Sequence, residues 1–369
     1  MTPAARVQAA IEILGEVTEA ARDAGPSADV LIAKYFRTRR YAGSKDRRAI
    51  RELVYEVIRT VGERPESGRA ALLGARPELE EHFTGLDHAP APVQPGEQRA
   101  EPGLAPAWLL ERLGERAQPE LLERASIDLR VNRLKTDPAA CSHLGVPVEG
   151  LPNALTGAPD DISRREEYRD GLVELQDLGS QHVVQMCGAQ PGMTVLDLCA
   201  GAGGKSLALA ADMQNRGRLV ATDTDRRRLD LLRPRAERAG AQIVERRLLD
   251  PGKEAGALTD LEDGCDVVLV DAPCSGTGTW RRNPEARWRL TPARLERLVE
   301  LQRRLLGLAS RHVRPGGALV YAVCSLLPEE GEGAADNFAY PDYTETARRL
   351  LTPGRDGCDG FFIARFEKA

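Results

Sequence analysis

The chain has 369 residues, 42% of them apolar and 29% charged, with a formal net charge of −5. That is enough for a large core and two or three domains, and no run approaches the ~18 apolar residues of a membrane span. The polar first ten residues do not read as a secretory signal. The seven cysteines are scattered rather than framed for disulfides, so a reducing cytoplasm is expected.

The spacing of Val7, Ala10, Ile11, Leu14 and Val17, and of Ile50, Leu53, Val54, Val57, Ile58 and Val61, predicts helices between residues 6 and about 61. Gly43-Ser44-Lys45-Asp46 reads as a turn with a cap before the last of them. From Lys34 to Arg51 eight basic residues (Lys34, Arg37, Arg39, Arg40, Lys45, Arg47, Arg48, Arg51) face one acid, Asp46. A second basic set, Arg281, Arg282, Arg287 and Arg289, is interleaved with Trp280 and Trp288. Arginine beside tryptophan can hold phosphate and stack on a base. Taken alone, each cluster reads first as a solvated face of an arginine-rich chain.

Residues 86–106, rich in proline, glycine and alanine, read as a linker or a loosely ordered crossing. Residues 107–190 mix short helices, strands and turns, with a strand at Asp128–Asn132 and a helix at His182–Cys187. From 191 to 369 strands and helices alternate as a parallel α/β sheet requires. The expected strands are Thr194–Leu198, Arg218–Thr222, Gln242–Arg246, Asp266–Val270, Ala318–Val323 and Phe361–Phe366. The expected helices are Lys205–Asp212, Arg226–Ala239 and Pro292–Val313, with a turn at Pro315-Gly316-Gly317.

The turn after the first of these strands, Cys199-Ala200-Gly201-Ala202-Gly203-Gly204-Lys205, is a natural ligand cradle. Its Gly-x-Gly-Gly-Lys spacing is neither the Walker pattern nor the Gly-x-Gly-x-x-Gly of dinucleotide folds. That spacing speaks against a nicotinamide oxidoreductase. Asp223, Asp250 and Asp271 end or follow successive strands, where acids hold ribose hydroxyls and other polar groups. A lone Asp there is a helix cap, but three in succession fit S-adenosylmethionine.

Two further strand ends run into cysteine: Asp271-Ala272-Pro273-Cys274-Ser275-Gly276 and Tyr321-Ala322-Val323-Cys324-Ser325-Leu326. Cytosine C5 needs activation before it can attack a methyl sulfonium, and a thiolate adding to C6 provides it. Asp271 is placed to bond the cytosine edge. The other cysteines considered, Cys141, Cys187, Cys265 and Cys358, read as small buried apolar residues.

At these residues the chain resembles the RsmB/Sun family of RNA cytosine-5 methyltransferases (the NOL1/NOP2/Sun superfamily). The signatures are Asp271-Ala272-Pro273-Cys274-Ser275-Gly276-Thr277-Gly278 and Cys324-Ser325-Leu326-Leu327-Pro328-Glu329-Glu330. Supporting matches are Arg130-Val131-Asn132, Gln176-Asp177, Arg281-Arg282-Asn283-Pro284 and Gly360-Phe361-Phe362. The resemblance covers about residue 105 to the end. Residues 1–85 look like the same family's NusB-like helical RNA-binding domain.

The resemblance implies a Rossmann-like methyltransferase sheet preceded by a small α+β RNA-binding subdomain and an all-α N-terminal domain. It makes Cys324 the nucleophile and Cys274 the residue that promotes product release. It places S-adenosylmethionine on Cys199–Lys205, Asp223, Asp250 and Asp271, with Arg228 as a further contact. The family loop usually reads Cys-Ala-Ala-Pro-Gly-Gly-Lys, so this chain lacks the proline. RNA is the implied partner: small-subunit ribosomal RNA first, transfer RNA as the alternative. A non-catalytic RNA-binding or assembly factor on the same fold is a different class of reading. No metal site and no membrane attachment are expected, and the protein is expected to be a monomer.

Overall fold

The computed structural model describes residues 1–22 and 25–369, which fall into two compact units. The first comprises 1–124 and 279–292, the second 125–278 and 293–369. Among the described residues no helix is long and apolar enough to cross a membrane.

The first unit is built on helices Pro3–Arg22, Ala28–Thr38, Ser44–Thr60 and Gly68–Ala75. The predicted apolar faces are its core: Val7, Leu14, Val17, Ile50, Val54, Val57 and Ile58 are buried together with Leu72 and Leu73. Gly43, not a polar side chain, precedes the third helix, and no side chain caps it. Ser67 does cap the fourth, its hydroxyl accepting from the Ala70 amide at 3.0 Å.

The segment read as a linker is instead an ordered strap. Gly103 N–H donates to Thr60 O at 2.8 Å and Ala100 N–H to Ala70 O at 3.0 Å, while Val61 bridges Pro102. The physical reason is that helix ends and their flanks leave backbone groups needing partners, and an extended proline-rich strand supplies them.

The second basic cluster departs further from expectation. Trp280, Arg287 and Trp288 are buried, neither a solvated face nor displayed for stacking. Trp288 joins the helical core and donates from its indole N–H to Gly62 O at 3.1 Å. Arg287 donates to Ile58 O at 2.5 Å and Val61 O at 2.8 Å. Its guanidinium thus closes the C-terminal end of helix Ser44–Thr60, where carbonyls lack intrahelical donors and the helix dipole favours a cation. Burial pushes the Arg287 pKa down to about 9.

Arg287→Ala leaves those carbonyls buried without donors. It is expected to destabilise the full-length chain by roughly 2–4 kcal/mol, read from the denaturant midpoint of the helical signal. Arg287→Lys should recover only part of the loss, because one ammonium cannot reproduce the fork.

The second unit holds two sheets. Strands β1 (Leu129–Val131), β2 (Val146–Val148), β3 (Leu151–Thr156) and β4 (Val173–Leu175) form a small antiparallel sheet in the order β2-β3-β1-β4. The larger sheet contains β5 (Thr194–Asp197), β6 (Arg218–Asp223), β7 (Val244–Leu248), β8 (Cys265–Asp271), β9 (Val313–Val323), β10 (Tyr343–Leu351) and β11 (Phe361–Lys368). Its order is β10-β11-β9-β8-β5-β6-β7. Strands β5 to β9 pair in parallel, whereas β11 is antiparallel to both β9 and β10.

Three local departures have local causes. The helix expected over Arg226–Ala239 breaks at Leu231 into Arg226–Asp230 and Leu232–Ala239, because Pro234 has no N–H for the Asp230 carbonyl and its ring crowds it. Pro315-Gly316-Gly317 lies within β9, where the register against β8 shifts, rather than before the strand. Helix Leu178–Cys187 starts earlier than expected, because the Asp177 carboxylate accepts from Gly179 N–H at 2.7 Å and Ser180 N–H at 3.3 Å.

Candidate functional site

Parallel strands deliver their C-terminal ends to one edge of the sheet. Here β5 ends at Asp197, β6 at Asp223 and β8 at Asp271, and Cys324 follows the end of β9. Since β5 lies between β6 and β8, and β8 pairs with β9, these residues are neighbours in space.

The glycine turn lies at the start of helix Gly204–Asp212. Gly201 and Gly203 have φ of +55° and +82°, a region that other residues avoid. A Cβ at Gly201 would lie 2.4 Å from Arg228 Nη2, and one at Gly203 2.0 Å from Leu232 Cδ1. Arg228, though exposed, therefore packs over the turn.

The turn is braced at several atoms. Gly201 N–H donates to Asp223 Oδ2 at 2.8 Å, and Asp225 N–H donates to the same carboxylate's Oδ1 at 2.7 Å. Ala200 N–H donates to Thr222 O at 2.8 Å. Arg235 Nη1 donates to Ala202 O at 2.8 Å and Gln176 Nε2 to Gly204 O at 3.1 Å. These bonds hold the turn although it carries Ala202 where the family loop has proline. Asp250, in contrast, is exposed beyond the end of β7 and apart from this network.

Lys205 Nζ pairs with Asp271 Oδ2 at 2.6 Å, and both side chains are largely sheltered. Burial works to lower the Lys205 pKa, but the Asp271 carboxylate outweighs it and the value lies above that of ordinary lysine, with Cys324 adding in the same direction.

Beneath the turn, Asp197 was not singled out from the sequence. It is buried, with Oδ2 accepting from Ser206 Oγ at 2.6 Å and Oδ1 without a partner. Burial raises its pKa to about 7, against the opposing pull of the Ser206 hydrogen bond. A carboxylate with a raised folded-state pKa destabilises progressively as pH climbs from the unfolded value to the folded one. The Tm advantage of Asp197→Asn over the parent should therefore grow between pH 5 and pH 8. A difference that is flat or shrinks over that range would contradict the assignment.

The two cysteine loops, 50 residues apart in sequence, meet with Cys274 Sγ 3.3 Å from Cys324 Sγ. The hydrogen bond with Cys324, then burial, then the charge of Glu330 push the Cys274 thiol pKa well up. Cys199, at the start of the glycine turn, is also raised, chiefly by burial. Cys141, Cys187, Cys265 and Cys358 are buried and free, as expected of small apolar residues.

A second residue the sequence did not single out is Glu330. It is fully buried and lies between the loops. Ser275 N–H donates to Oε1 at 2.8 Å, Ser325 Oγ donates to Oε2 at 2.6 Å, and Gln302 Nε2 donates to Oε1 at 3.0 Å. The Ser275 hydroxyl bonds Oε2 as well. Glu330 appears in the cysteine signature, but a sequence does not show which atoms a carboxylate gathers.

The family model for 16S rRNA methyltransferase RsmB/F matches residues 184–341, a span that includes the glycine turn and both cysteine loops. The chain is 33% identical over 302 residues to a probable ribosomal RNA small subunit methyltransferase B of Synechocystis sp., covering 72% of this chain and 67% of that one. It is 31% identical to the ribosomal RNA small subunit methyltransferase B of Enterobacter sp., with the same coverage. Among solved structures, PH0851 shares the fold over the whole chain and 99% of its own, at a TM-score of 0.78 and 24% identity. A methyltransferase homologue from Pyrococcus horikoshii matches at 0.61 and 26%, over 71% of this chain and 95% of its own. The larger sheet is therefore a Rossmann-like methyltransferase sheet, and the chain belongs to the RsmB/F family of methyltransferases.

Proposed function

We propose that this protein is an S-adenosylmethionine-dependent RNA cytosine-5 methyltransferase acting on small-subunit ribosomal RNA. The observation that carries this reading is the pair of sulfurs 3.3 Å apart on the sheet edge that also bears the glycine turn and the Lys205–Asp271 pair. The names of the curated relatives favour ribosomal RNA over transfer RNA.

The residues present fit the cofactor. The turn from Cys199 to Lys205 leaves a cradle without Cβ atoms at Gly201 and Gly203, and Asp223, at the end of β6, is the acid for ribose hydroxyls. Arg228 lies over the turn, and Asp250 follows β7, the neighbour of β6, at the same edge of the sheet. S-adenosylmethionine supplies an electrophilic methyl group to cytosine C5.

The surroundings divide the work between the thiols. Cys274, 3.3 Å from Cys324 Sγ and close to the buried Glu330, has its pKa pushed well up, so it keeps its proton and donates it toward Cys324 Sγ. Cys324 adds to C6, forming a carbon–sulfur bond and making C5 electron-rich. Asp271, held by Lys205 at 2.6 Å, steadies the base edge. After methylation a water molecule takes the C5 proton, the C5–H electrons restore the C5=C6 double bond, and the carbon–sulfur pair leaves with Cys324 as a thiolate. The departing Cys324 thiolate then receives the Cys274 S–H hydrogen bond, which makes it a better leaving group.

RNA contact on the helical unit falls to a basic concavity lined by Ile32, Phe36, Arg37, Arg47, Arg48 and Arg51. Part of the basic run is already neutralised: Lys34 pairs with Glu16, Arg39 with Glu12 and Arg51 with Asp29. Arg37, Arg40, Lys45 and Arg48 are exposed for phosphate. The target cytosine must leave its stack to reach Cys324.

The test is methyl transfer from labelled S-adenosylmethionine to ribosomal RNA and, in parallel, to transfer RNA, followed by mapping of 5-methylcytosine. Label at a defined cytosine of small-subunit RNA is expected. Label on transfer RNA alone would move the substrate, and cofactor binding without transfer to either would favour a non-catalytic role.

A further inference from the structure

Glu330 is an expensive residue to keep where it is. It is a fully buried carboxylate, and among the described residues it has no ion-pair partner. A buried charge without a cation costs several kcal/mol unless hydrogen bonds satisfy it. Its donors, Ser275, Ser325 and Gln302, belong to, or brace, the two cysteine loops. Ser275 follows Cys274 and Ser325 follows Cys324, and each bonds Glu330. Gln302 bonds Glu330 and also the carbonyl of Pro273, the residue before Cys274, at 2.9 Å. Tyr321 OH donates to the Glu330 backbone carbonyl at 2.6 Å, tying the carboxylate's own backbone to β9. One side chain therefore sets where both sulfurs stand.

We propose that Glu330 is a positioning residue that fixes the two cysteines relative to each other and acts on the release of product rather than on methyl transfer. This rests on the two-cysteine reaction above. Attack on C6 needs Cys324 alone, while expulsion of Cys324 needs Cys274 within hydrogen-bond reach. Glu330 tethers the loops of both cysteines, but Cys324 directly follows β9, which is paired on one side with β8 and on the other with β11. Cys274 sits on a loop, so loosening the tethers moves Cys274 away and leaves Cys324 on its strand end.

The experiment compares the parent, Cys274→Ala, Glu330→Gln and Ser275→Ala as full-length chains on the same ribosomal RNA. Glutamine keeps the shape but presents an amide N–H₂ where one carboxylate oxygen accepted. For Glu330→Gln the first turnover should stay within about threefold of the parent while steady turnover falls about tenfold or more. A protein–RNA adduct should persist on a denaturing gel, and cofactor affinity should change by less than about twofold. Ser275→Ala should show the same bias at smaller size, and it decides the matter should Glu330→Gln fail to fold. First and steady turnover falling in equal proportion, or parent-like steady turnover with no adduct, would overturn the inference. An adduct in Cys274→Ala but in neither of the other variants rejects the role of Glu330 alone. No adduct in Cys274→Ala, with parent-like turnover, removes the two-cysteine reaction and this inference with it.

Discussion

Cys274→Ala is expected to stop with RNA covalently attached to the protein. The reasoning follows from which half of the reaction each sulfur serves. Addition to C6 is carried by Cys324, which the alanine variant retains at the end of β9. Elimination loses the S–H donor that stood 3.3 Å from the departing sulfur. Steady turnover should fall by about 10²- to 10⁴-fold, the range for removal of a positioned proton donor. The adduct should approach one RNA per protein and survive denaturation. Serine at 274 should behave closer to alanine than to cysteine, because its shorter C–O bond draws the donor back. Parent-like turnover in Cys274→Ala would make this cysteine a packing residue.

Cys324→Ala is expected to abolish methylation, by on the order of 10⁴-fold or more, because the neighbouring Cys274 thiol, its pKa pushed well up, is a poor substitute nucleophile. Cofactor binding should survive. The bonds that shape the glycine turn come from Thr222, Asp223, Gln176 and Arg235, none of which is a partner of Cys324. The double variant should give neither product nor adduct, which distinguishes loss of attack from a faster release. A Cys324→Ala protein that still methylates at a measurable fraction of the parent rate would move the nucleophile elsewhere.

What the sequence disclosed depended on how local the signal was. The strands β5, β6 and β8, and β9 from Ala318 on, are largely buried and read as mostly apolar runs. Their order along the chain was therefore legible, and so was the edge where their ends gather. Strand β10 went unread: it lies at the sheet edge and is rich in Thr, Glu and Arg, so it lacks an apolar run. The strap at 86–106 and the segment around Trp288 were misread for a shared reason. Proline content does not say whether an extended segment finds backbone partners, and a guanidinium beside an indole meets helix carbonyls as readily as phosphates. Arg287 chose the carbonyls of Ile58 and Val61.

The candidate site shows the same division. The cysteine signatures were visible as motifs, but their 3.3 Å approach depends on a parallel pairing of β8 and β9 across 50 residues. Asp197 and Glu330 stood in plain view beside the motifs. Their burial, which gives one a raised pKa and the other its grip on both loops, exists only once the chain has folded. The turn lacks the family's proline, and the Arg235 and Gln176 braces that hold it come from residues distant in sequence.

The most direct measurement is to isolate the Cys274→Ala adduct, digest protein and RNA, and identify the crosslinked peptide by mass spectrometry. The account predicts one methylated cytosine joined to the peptide that contains Cys324. A crosslink at another residue, or a stable adduct formed equally well by Cys274→Ala and by the variant lacking both cysteines, would contradict it.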